Sequence, residues 1–516
     1  MGLYIRKVPT ASGATAVQIA RKSRGQRTIV EHLGSAHDEQ SLAVLLAAAE
    51  QRKAELQGGA QLQFDFLADH QRETRVEVEP IVSDGQPRMI GTKHRVLWQV
   101  LAGVYDQLGF HAAVDSAVFK QLVVARLIEP ASKLRSLQIL ASLGIGKVPS
   151  YATVKRHLAR SAGAGWRDRI CAAAYDFAAA DGPVTVCLYD ATTLHIESDH
   201  PDEFRRPGFS KDRQIDPQIV LGLLVDRSGF PLEIHTHPGN TAEATTILPV
   251  LDSFKSRHGI EDIVVVADAG MLSYANCVAL EQAGYQFIIA SRVGKMPKGL
   301  QAHLDTLDKH QMTNGWTTSI QEQLRADAPK TWRTVYQFTT KRYNKDRRTL
   351  DKQIAKAQDI ADGKRSMAKA RFVSVDGKNV GINQADIDRA RALQGIKGYV
   401  TSASGDILTD TEVIAHYHAL FEVEASFRLT KHDLEARPMF HRTKDMIDAH
   451  LNIVFCALAI ARHLQTTTGL SLRRIRDILY PLTDGILEVN GQQHTIPASM
   501  TSEASELITK LGLQID

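Results

Sequence analysis

The sequence predicts an α/β protein in which a mixed β-sheet is flanked by helices, preceded by a helical region and interrupted by an inserted domain. Apolar, β-branched runs alternate with helical patterns between residues 181 and 295. Residues 94–165, which precede them, have a helical pattern throughout. The segment 296–395, which follows them and contains a basic stretch, is too long for a loop. A chain of 516 residues also exceeds what one hydrophobic core usually organises.

The sequence of the first 93 residues predicts a small N-terminal region followed by a linker. Apolar and polar residues alternate through about residue 35, around Gly13 and Gly25, which predicts a β-hairpin sheet. A helix is expected over 41–56, within an N-terminal region spanning 1–75. Residues 76–93 are polar and punctuated by Pro and Gly, which is typical of a linker.

Within the helical region, the segment between Gly144 and Pro149 breaks one helix, and Ser150 can cap the next. Two interpretations fit this pattern. A helix-turn-helix would place Lys155 and Arg156 on a DNA-recognition helix. An ordinary helical hairpin in a bundle has the same sequence signals, and the sequence alone does not choose between them.

A five-stranded mixed sheet is predicted over residues 181–295. Strands are expected at 184–190, 218–225, 230–236, 262–268 and 286–291, with helices near 242–257 and 273–283. Short connections favour an antiparallel meander for the first three strands. The fourth strand follows a helix and should therefore join the sheet in parallel.

Three acidic residues can converge at one edge of this sheet. Asp190 and Asp268 each close an apolar run that is predicted to be a strand. Glu424 lies on a helix predicted to begin at Thr411 and to present it among apolar side chains, so Asp268 and Glu424 are expected to be buried. Converging carboxylates are the ligands that a pair of Mg²⁺ ions needs for phosphoryl transfer.

The helical phase predicts which neighbours of Glu424 share its face. Residues seven apart differ by only ~20° around a helix, so Tyr417, Glu424 and Lys431 should form one line. Glu422 is turned by roughly 200° and is expected to face solvent or DNA. A buried Glu424 paired with Lys431 for structural reasons is the alternative, and the two strand-end aspartates favour the functional interpretation.

These residues resemble the DDE transposases of bacterial insertion elements. The resemblance covers roughly residues 90 to 465 and implies an RNase H-like catalytic domain built from 181–295 and 396–465. Its signature, Tyr-x2-Arg-x3-Glu-x6-Lys, is matched at Tyr417, Glu424 and Lys431, but Leu420 occupies the arginine position. Arg428, ~40° from Glu424 on the same helix, is the nearest basic substitute. The other matching segments are Tyr189–Leu194, Gly222–Gly229, His237–Glu243 and Val266–Met271.

The resemblance implies metal-dependent cleavage of insertion-element ends, followed by transfer of the freed 3′-OH into target DNA. Asp190, Asp268 and Glu424 would hold Mg²⁺, for which Mn²⁺ can substitute. The DNA-contacting side chains would come from the signature and from the helical region, namely Tyr417, Arg428, Lys431, Lys155 and Arg156.

The implied partners are terminal inverted repeats, target DNA and a second copy of the chain in a homodimeric synaptic complex. The implied location is the cytoplasm, at the nucleoid. Two alternatives stay open, a catalytically silent transposase-derived DNA-binding protein and an RNase H-like nuclease without strand transfer.

The inserted domain carries a concentrated positive charge. Residues 341–371 contain eleven Lys or Arg and four Asp, whereas the whole chain has a net charge of only +4. A solvated helical face is one interpretation. The neighbouring Trp332, Tyr336 and Phe338 favour the other, a short β surface that presents aromatic and basic groups to DNA.

Other compositional features exclude several classes. Four cysteines form no CxxC pair, which argues against a zinc site or a disulfide framework. No apolar run approaches the ~20 residues of a membrane span, so no membrane partner is expected. His235 and His237 could ligate a metal at a strand end, and the loop 195–216 could be a surface hairpin or a DNA-contacting flap. No role is predicted for residues 466–516.

Overall fold

The protein is described by a computed structural model. Its contacts divide the chain into two units, Met1–Gln86 and Pro87–Asp516. The described residues are 3–9, 15–23, 26–36, 46, 49, 87–145, 147–161, 163–196, 201–208, 216–260, 262–270, 273–291, 297–306, 312–323, 329–366, 370–376, 379–434, 436, 439, 441 and 443–515.

In the first unit, the described residues form three antiparallel strands in the order β1 (Leu3–Pro9), β2 (Thr15–Ser23) and β3 (Gln26–Ala36). The predicted hairpin sheet is therefore confirmed. Val17 and Ile19 are buried on β2. Most of the helix predicted over 41–56 lies outside the described residues, within which Leu46 and Ala49 are helical.

The second unit contains the remaining elements. Its described strands are β4 (Arg88–Lys93), β5 (Val186–His195), β6 (Gln218–Val225), β7 (Pro231–Pro238), β8 (Val264–Ala267), β9 (Gln286–Ser291), β10 (Thr317–Gln323), β11 (Thr331–Phe338), β12 (Val373–Asp376), β13 (Asn379–Ile382), β14 (Ile396–Thr401), β15 (Asp484–Val489) and β16 (Gln492–Ile496).

Its described α-helices are α1 (Arg95–Gln107), α2 (Phe110–Ala113), α3 (Ala117–Ile128), α4 (Lys133–Ser142), α5 (Tyr151–Ala159), α6 (Trp166–Ala178), α7 (Ile247–His258), α8 (Tyr274–Gln282), α9 (Lys298–Asp305), α10 (Thr340–Ala361), α11 (Gln384–Ala392), α12 (Asp410–His418), α13 (Phe421–Arg428), α14 (Lys444–Thr468), α15 (Leu472–Leu479) and α16 (Ser502–Lys510). A 3₁₀ turn spans Glu243–Thr245, and a π-helical turn spans Leu429–Asp433.

The main sheet contains eight strands among the described residues, in the order β10-β11-β14-β9-β8-β5-β6-β7. The meander β5-β6-β7 is antiparallel, and β8 joins β5 in parallel with β9 beside it, as predicted. The strands β6 and β8 are buried along their whole length because helices cover both faces of the sheet.

The sheet is wider than the five strands predicted, because strands from the inserted segment extend it. The last four residues of β14, Gly398–Thr401, pair with Ile288–Ser291 of β9, and β11 and β10 follow outward. Trp332 and Tyr336 on β11 are buried, so the predicted surface of interleaved aromatic and basic groups is wrong. These aromatic residues belong to the core, and the basic residues lie mainly on the following helix α10.

The rest of the insertion has a small core of its own. Leu350 and Ala357 on α10 pack with Phe372 and with Ile387 on α11, beside the hairpin β12-β13. The long helix α10 begins at the N-cap Thr339, whose side chain accepts a hydrogen bond from the amide of Arg342. This segment therefore holds a basic helix against the edge of the main sheet.

Helix α14 is the central helix of the unit. It is the single described helix long and apolar enough to cross a membrane by length and composition, but nearly all of its apolar stretch is buried inside the protein. It packs against α3, α5, α6 and β7. The helical region 94–165 and the main sheet therefore share one continuous core, which runs from Val96 to Leu511.

Residues 88–93, predicted as part of the linker, form β4, which pairs with β15. The ion pair between Arg95 Nε and Asp484 Oδ2, at 2.7 Å, joins the same two parts of the chain. Asp484 is 1% exposed. The partner strand lies almost 400 residues downstream, so no local pattern could reveal this pairing.

Candidate active site

Asp190 and Asp268 end up side by side because their strands are neighbours in register. In the parallel pair β5 and β8, Val186 is opposite Val264 and Leu188 is opposite Val266. Continuing that register by two residues brings Asp190 level with Asp268. Asp190 does not end its strand as predicted, because β5 continues to His195, whereas Asp268 directly follows β8. Adjacent strands lie ~4.8 Å apart, so the two aspartates are neighbours across this register.

The residue before Asp190 anchors the strand. Tyr189 is fully buried, and its hydroxyl lies 2.7 Å from Thr246 Oγ1. Its ring packs over Gly222 on β6, where an added Cβ would collide with the phenol. Asp190 itself is half-buried, and its Oδ1 accepts a hydrogen bond from the amide of Ala191 at 2.8 Å.

Tyr417 connects the signature helix to the sheet edge. Its hydroxyl donates a hydrogen bond to Asp268 Oδ1 at 3.2 Å. Burial raises the pKa of Tyr417 above its ordinary value, and the negative charges of Asp268 and Glu424 raise it further. The phenol therefore stays protonated and serves as a donor to the Asp268 carboxylate.

Glu424 lies on α13, and its position differs from the predicted one. The buried positions of α13 are Val423, Ser426 and Phe427, whereas Glu424 is exposed. Asp268 is exposed as well, so the predicted burial of these two carboxylates is wrong. Their edge of the sheet is open, and Glu424 is near enough to influence the pKa of Tyr417.

The expected single helix is interrupted, which explains the change of phase. Helix α12 ends at His418, and α13 begins at Phe421. Between them the amide of Leu420 bonds to the carbonyl of Tyr417, and that of Glu422 bonds to Ala419. These three-residue steps wind more tightly than an α-helix and rotate the residues that follow.

Glu422 is also not where the continuous helix would place it. It pairs with Arg462 on α14, and the same guanidinium donates to the carbonyl of Ser228. The Glu422 side chain is 22% exposed, which is less than expected for a residue facing solvent or DNA. It therefore links α13 to the central helix.

Lys431 reaches β5 from the π-helical turn. Its Nζ donates to Thr192 Oγ1, two residues beyond Asp190 on the same face of β5. Thr192 was not singled out from the sequence, although its spacing from Asp190 is the signal that could have found it. Arg428, the suggested substitute for the missing arginine, is exposed at the end of α13.

Lys155 and Arg156 lie on α5 and are exposed, whereas Val154 and Leu158 of the same helix are buried. Lys155 Nζ lies 4.9 Å from the centre of the Tyr151 ring, and Arg156 donates to Thr153 Oγ1 at 3.3 Å. The predicted recognition helix thus exists, with its basic face outward. Its contact with DNA stays a prediction.

The His235-x-His237 pair belongs to a different environment. His235 Nε2 lies 2.9 Å from Glu233 Oε1, and the buried Glu233 also pairs with Arg257. Burial lowers the pKa of His237 to about 4, and the nearby His235 and Arg167 lower it in the same direction. Nothing in this arrangement supports the metal-site alternative.

The donor chemistry of the acidic edge suits a hard cation. Across the part of the chain that the structure describes, no three His, Cys, Asp or Glu side chains are grouped closely enough to hold a metal ion. Glu424 is therefore not gathered with the two aspartates into a three-ligand cluster. Asp190 and Asp268 alone fit Mg²⁺, which usually binds through one or two carboxylates and takes its other ligands from water and substrate phosphates.

Lys397, on β14, is a residue near the site that sequence analysis missed. Its Nζ lies 4.2 Å from the centre of the Tyr417 ring and 5.2 Å from that of Tyr399. Burial lowers the pKa of Lys397, as does the charge of Arg342, while Asp268 acts in the opposite direction. The strand that carries it was not predicted, so no sequence pattern drew attention to it.

Comparison with known proteins identifies the family of this chain. The family described as "Transposase DDE domain" matches residues 182–460, which is more than half of the chain. No curated protein matches the chain. Among solved structures, the chain is similar to a piggyBac transposase in a synaptic complex with hairpin DNA, with 9% identity and a TM-score of 0.34, covering 74% of this chain and 70% of that one. The protein belongs to the DDE transposase domain family.

Proposed function

We propose that this protein is a transposase that cleaves the DNA ends of an insertion element and joins the freed 3′-OH to target DNA. The observation that carries the proposal is the register that brings Asp190, midway along β5, level with Asp268, the residue that follows β8. The strand order β7-β6-β5-β8-β9, with a meander followed by parallel additions, supports an RNase H-like catalytic domain.

Asp190 and Asp268 are the proposed metal ligands, and Glu424 is the third acidic residue of the site. Bound Mg²⁺ would supply an activated water and stabilise the leaving 3′ oxygen. The chain's own residues orient the site around this chemistry. Tyr417 holds the Asp268 carboxylate by a hydrogen bond at 3.2 Å, and Lys431 is held over β5 at Thr192.

Positive charge near the acidic edge suits the DNA that the reaction requires. Lys431 and Arg428 extend from the end of the signature segment, and Lys155 and Arg156 are exposed on α5. Terminal inverted repeats and target DNA are the proposed partners, with a second copy of the chain in a synaptic complex. A cytoplasmic location at the nucleoid is part of this proposal.

The test is a cleavage and joining assay. Purified protein is incubated with Mg²⁺ and a duplex taken from the DNA flanking the coding sequence, together with a supercoiled plasmid as target. Cleaved ends and joined products are both expected. Cleavage without joining would indicate a nuclease, and specific binding without cleavage would indicate a catalytically silent DNA-binding protein.

A further inference from the structure

A second feature at the same sheet edge is a cavity of about 380 Å³ between the inserted segment and the main sheet. It lies where α10 crosses the start of β14. Five of the residues that line it are charged. Four are basic, namely Arg342, Lys345, Arg371 and Lys397, and one, Asp346, is acidic. The cavity is therefore strongly positive.

The sheet register relates this cavity to the acidic residues. Ser291 at the end of β9 also lines it, and Ser291 is paired with Gly398, next to Lys397 on β14. The parallel pair β8 and β9 puts Ala267 opposite Ile289, so Asp268 is level with Ala290, one residue before Ser291. From β8 to β14 are two strand spacings of ~4.8 Å, or about 10 Å.

Side-chain contacts also connect Asp268, which follows β8, with Lys397 on β14. Tyr417 donates to Asp268, and its ring is covered by Lys397 at 4.2 Å. Lys397 thus lines the cavity on one side and contacts Tyr417, which orients Asp268, on the other. A DNA strand that reaches Asp268 can continue over Lys397 into the cavity.

The charges of the cavity are not neutralised within it. Asp346 is shared between Arg342 Nε, at 3.4 Å, and the amide of Gly395, at 3.2 Å. Arg371 donates to the amide oxygen of Gln353, at 3.5 Å. Among the described residues, neither Lys345 nor Lys397 has a carboxylate within ion-pair distance, so both can accept an anionic ligand.

We propose that this cavity binds a phosphate group of the DNA strand whose cleavage site lies at Asp190 and Asp268. Phosphates along one strand recur every 3.4 Å of helix axis, so ~10 Å corresponds to about three nucleotides. Arg371 and Lys345 would hold the phosphate from the inserted segment, and Lys397 from the sheet. The inserted segment thereby fixes the position of the strand relative to the acidic edge. The proposal rests on the proposed function.

The experiment measures binding and cleavage separately. Binding of the flanking-DNA duplex is measured in Ca²⁺ for the wild type and for a Lys345→Gln, Arg371→Gln double variant. The matched control is Arg347→Gln, Arg348→Gln, which removes two exposed positive charges from α10 outside the cavity. Arg347 is turned by about 200° from Lys345 around the helix.

Single neutral methylphosphonates are then scanned along both DNA strands. In the wild type and in the control, one position within a few nucleotides of the cleavage site should weaken binding about ten-fold. The Lys345→Gln, Arg371→Gln variant should bind unmodified DNA about ten-fold more weakly than wild type. A methylphosphonate at the sensitive DNA position should not weaken its binding further. Here, coupling means that a substitution abolishes the effect of a methylphosphonate on binding. If the cavity variant showed coupling at every position, or if the control variant showed it too, the basic helix would attract DNA in general and the proposal would be overturned.

Competition with pyrophosphate and ATP separates DNA from free phosphate compounds. If these bind the wild type and not the cavity variant, while no methylphosphonate position shows coupling, the site is not for DNA and the proposal is overturned. Cleavage in Mg²⁺ is scored independently. If the protein cleaves DNA but shows no coupling, the proposed phosphate site in the cavity is refuted and the transposase activity is not. If binding shows coupling but the protein never cleaves DNA, the proposed transposase activity is refuted and the phosphate site is not.

Discussion

The Tyr417 hydroxyl donates a hydrogen bond to Asp268 Oδ1 at 3.2 Å, which links the signature segment to the end of β8. A hydrogen bond to a charged group contributes about 1.5–3 kcal/mol. The carboxylate that Tyr417 orients is a proposed metal ligand, so this hydrogen bond should affect metal dependence as well as rate.

Tyr417→Phe should therefore lower the cleavage rate by about ten-fold and raise the Mg²⁺ concentration needed for half-maximal cleavage. The ring that packs against Lys397 is retained. Tyr399→Phe is the control, because the Tyr399 hydroxyl lies 3.1 Å from His418 Nε2 and not on a carboxylate. Equal Mg²⁺ titrations for wild type and Tyr417→Phe would argue against a role for Tyr417 in orienting Asp268.

Removing either Asp190 or Asp268 should separate chemistry from binding. Asp190→Ala and Asp268→Ala are each expected to abolish cleavage in Mg²⁺ while leaving DNA affinity within a few-fold of wild type. The lost groups are the proposed metal ligands and lie outside the proposed DNA-recognition surface, and Ca²⁺ should support binding without cleavage. Near-normal cleavage by either variant would show that the metal ligands have been assigned wrongly.

The sequence allowed the catalytic sheet to be predicted well, because its strands are local apolar runs. The strands at 218–225 and 286–291 have the predicted bounds, and the order of five strands follows from short loops and two helical crossovers, α7 and α8. The three-strand extension was missed because β14 pairs with β9 across more than 100 residues. Chain-distant pairings of this kind leave no periodic signal within a short window.

The site residues were placed less well than their strands. Extending one helical phase from Tyr417 to Lys431 assumed an uninterrupted helix, and the tight turn at Ala419 and Leu420 invalidates that assumption. The residues of the site were therefore predicted by their spacing in the sequence, but their exposure was not. An exposed Glu424 and Asp268 are what an edge open to DNA would require.

Glu424 and Glu422 should now be separable by two different measurements. Glu424→Gln removes an exposed charge at the acidic edge and should reduce cleavage by several orders of magnitude with little change in Tm. Glu422→Gln breaks the pair with Arg462 and should lower the free energy of unfolding by about 1–3 kcal/mol, with cleavage per folded molecule nearly unchanged. The opposite ranking in cleavage would show that Glu422 is the catalytic glutamate.

The basic face of α5 provides a test of DNA recognition. Neutralising Lys155 and Arg156 with Gln should weaken binding to the flanking DNA. If both contact phosphates, the slope of log K against log salt should become shallower by roughly 0.9 per contact. Arg169→Gln, an exposed arginine on α6, is the control. Binding indistinguishable from the control would assign this segment to the helical bundle without a DNA contact.

Histidine protonation should make the fold acid-sensitive, and His237 offers the clearest case. Burial lowers its pKa to about 4, whereas an unfolded histidine has a pKa of about 6.5. Because the folded pKa is lowered, the stabilisation is complete above pH 6.5 and is lost as the pH falls toward 4. Between pH 7 and 5, His237 should account for a loss of about 2 kcal/mol in the free energy of unfolding.

In urea titrations, the free energy of unfolding of the His237→Asn variant should depend less on pH than that of the wild type. The His111→Asn variant, in which the replaced histidine is exposed, should show the same pH dependence as the wild type. Parallel curves for wild type and His237→Asn would place the acid sensitivity in other groups.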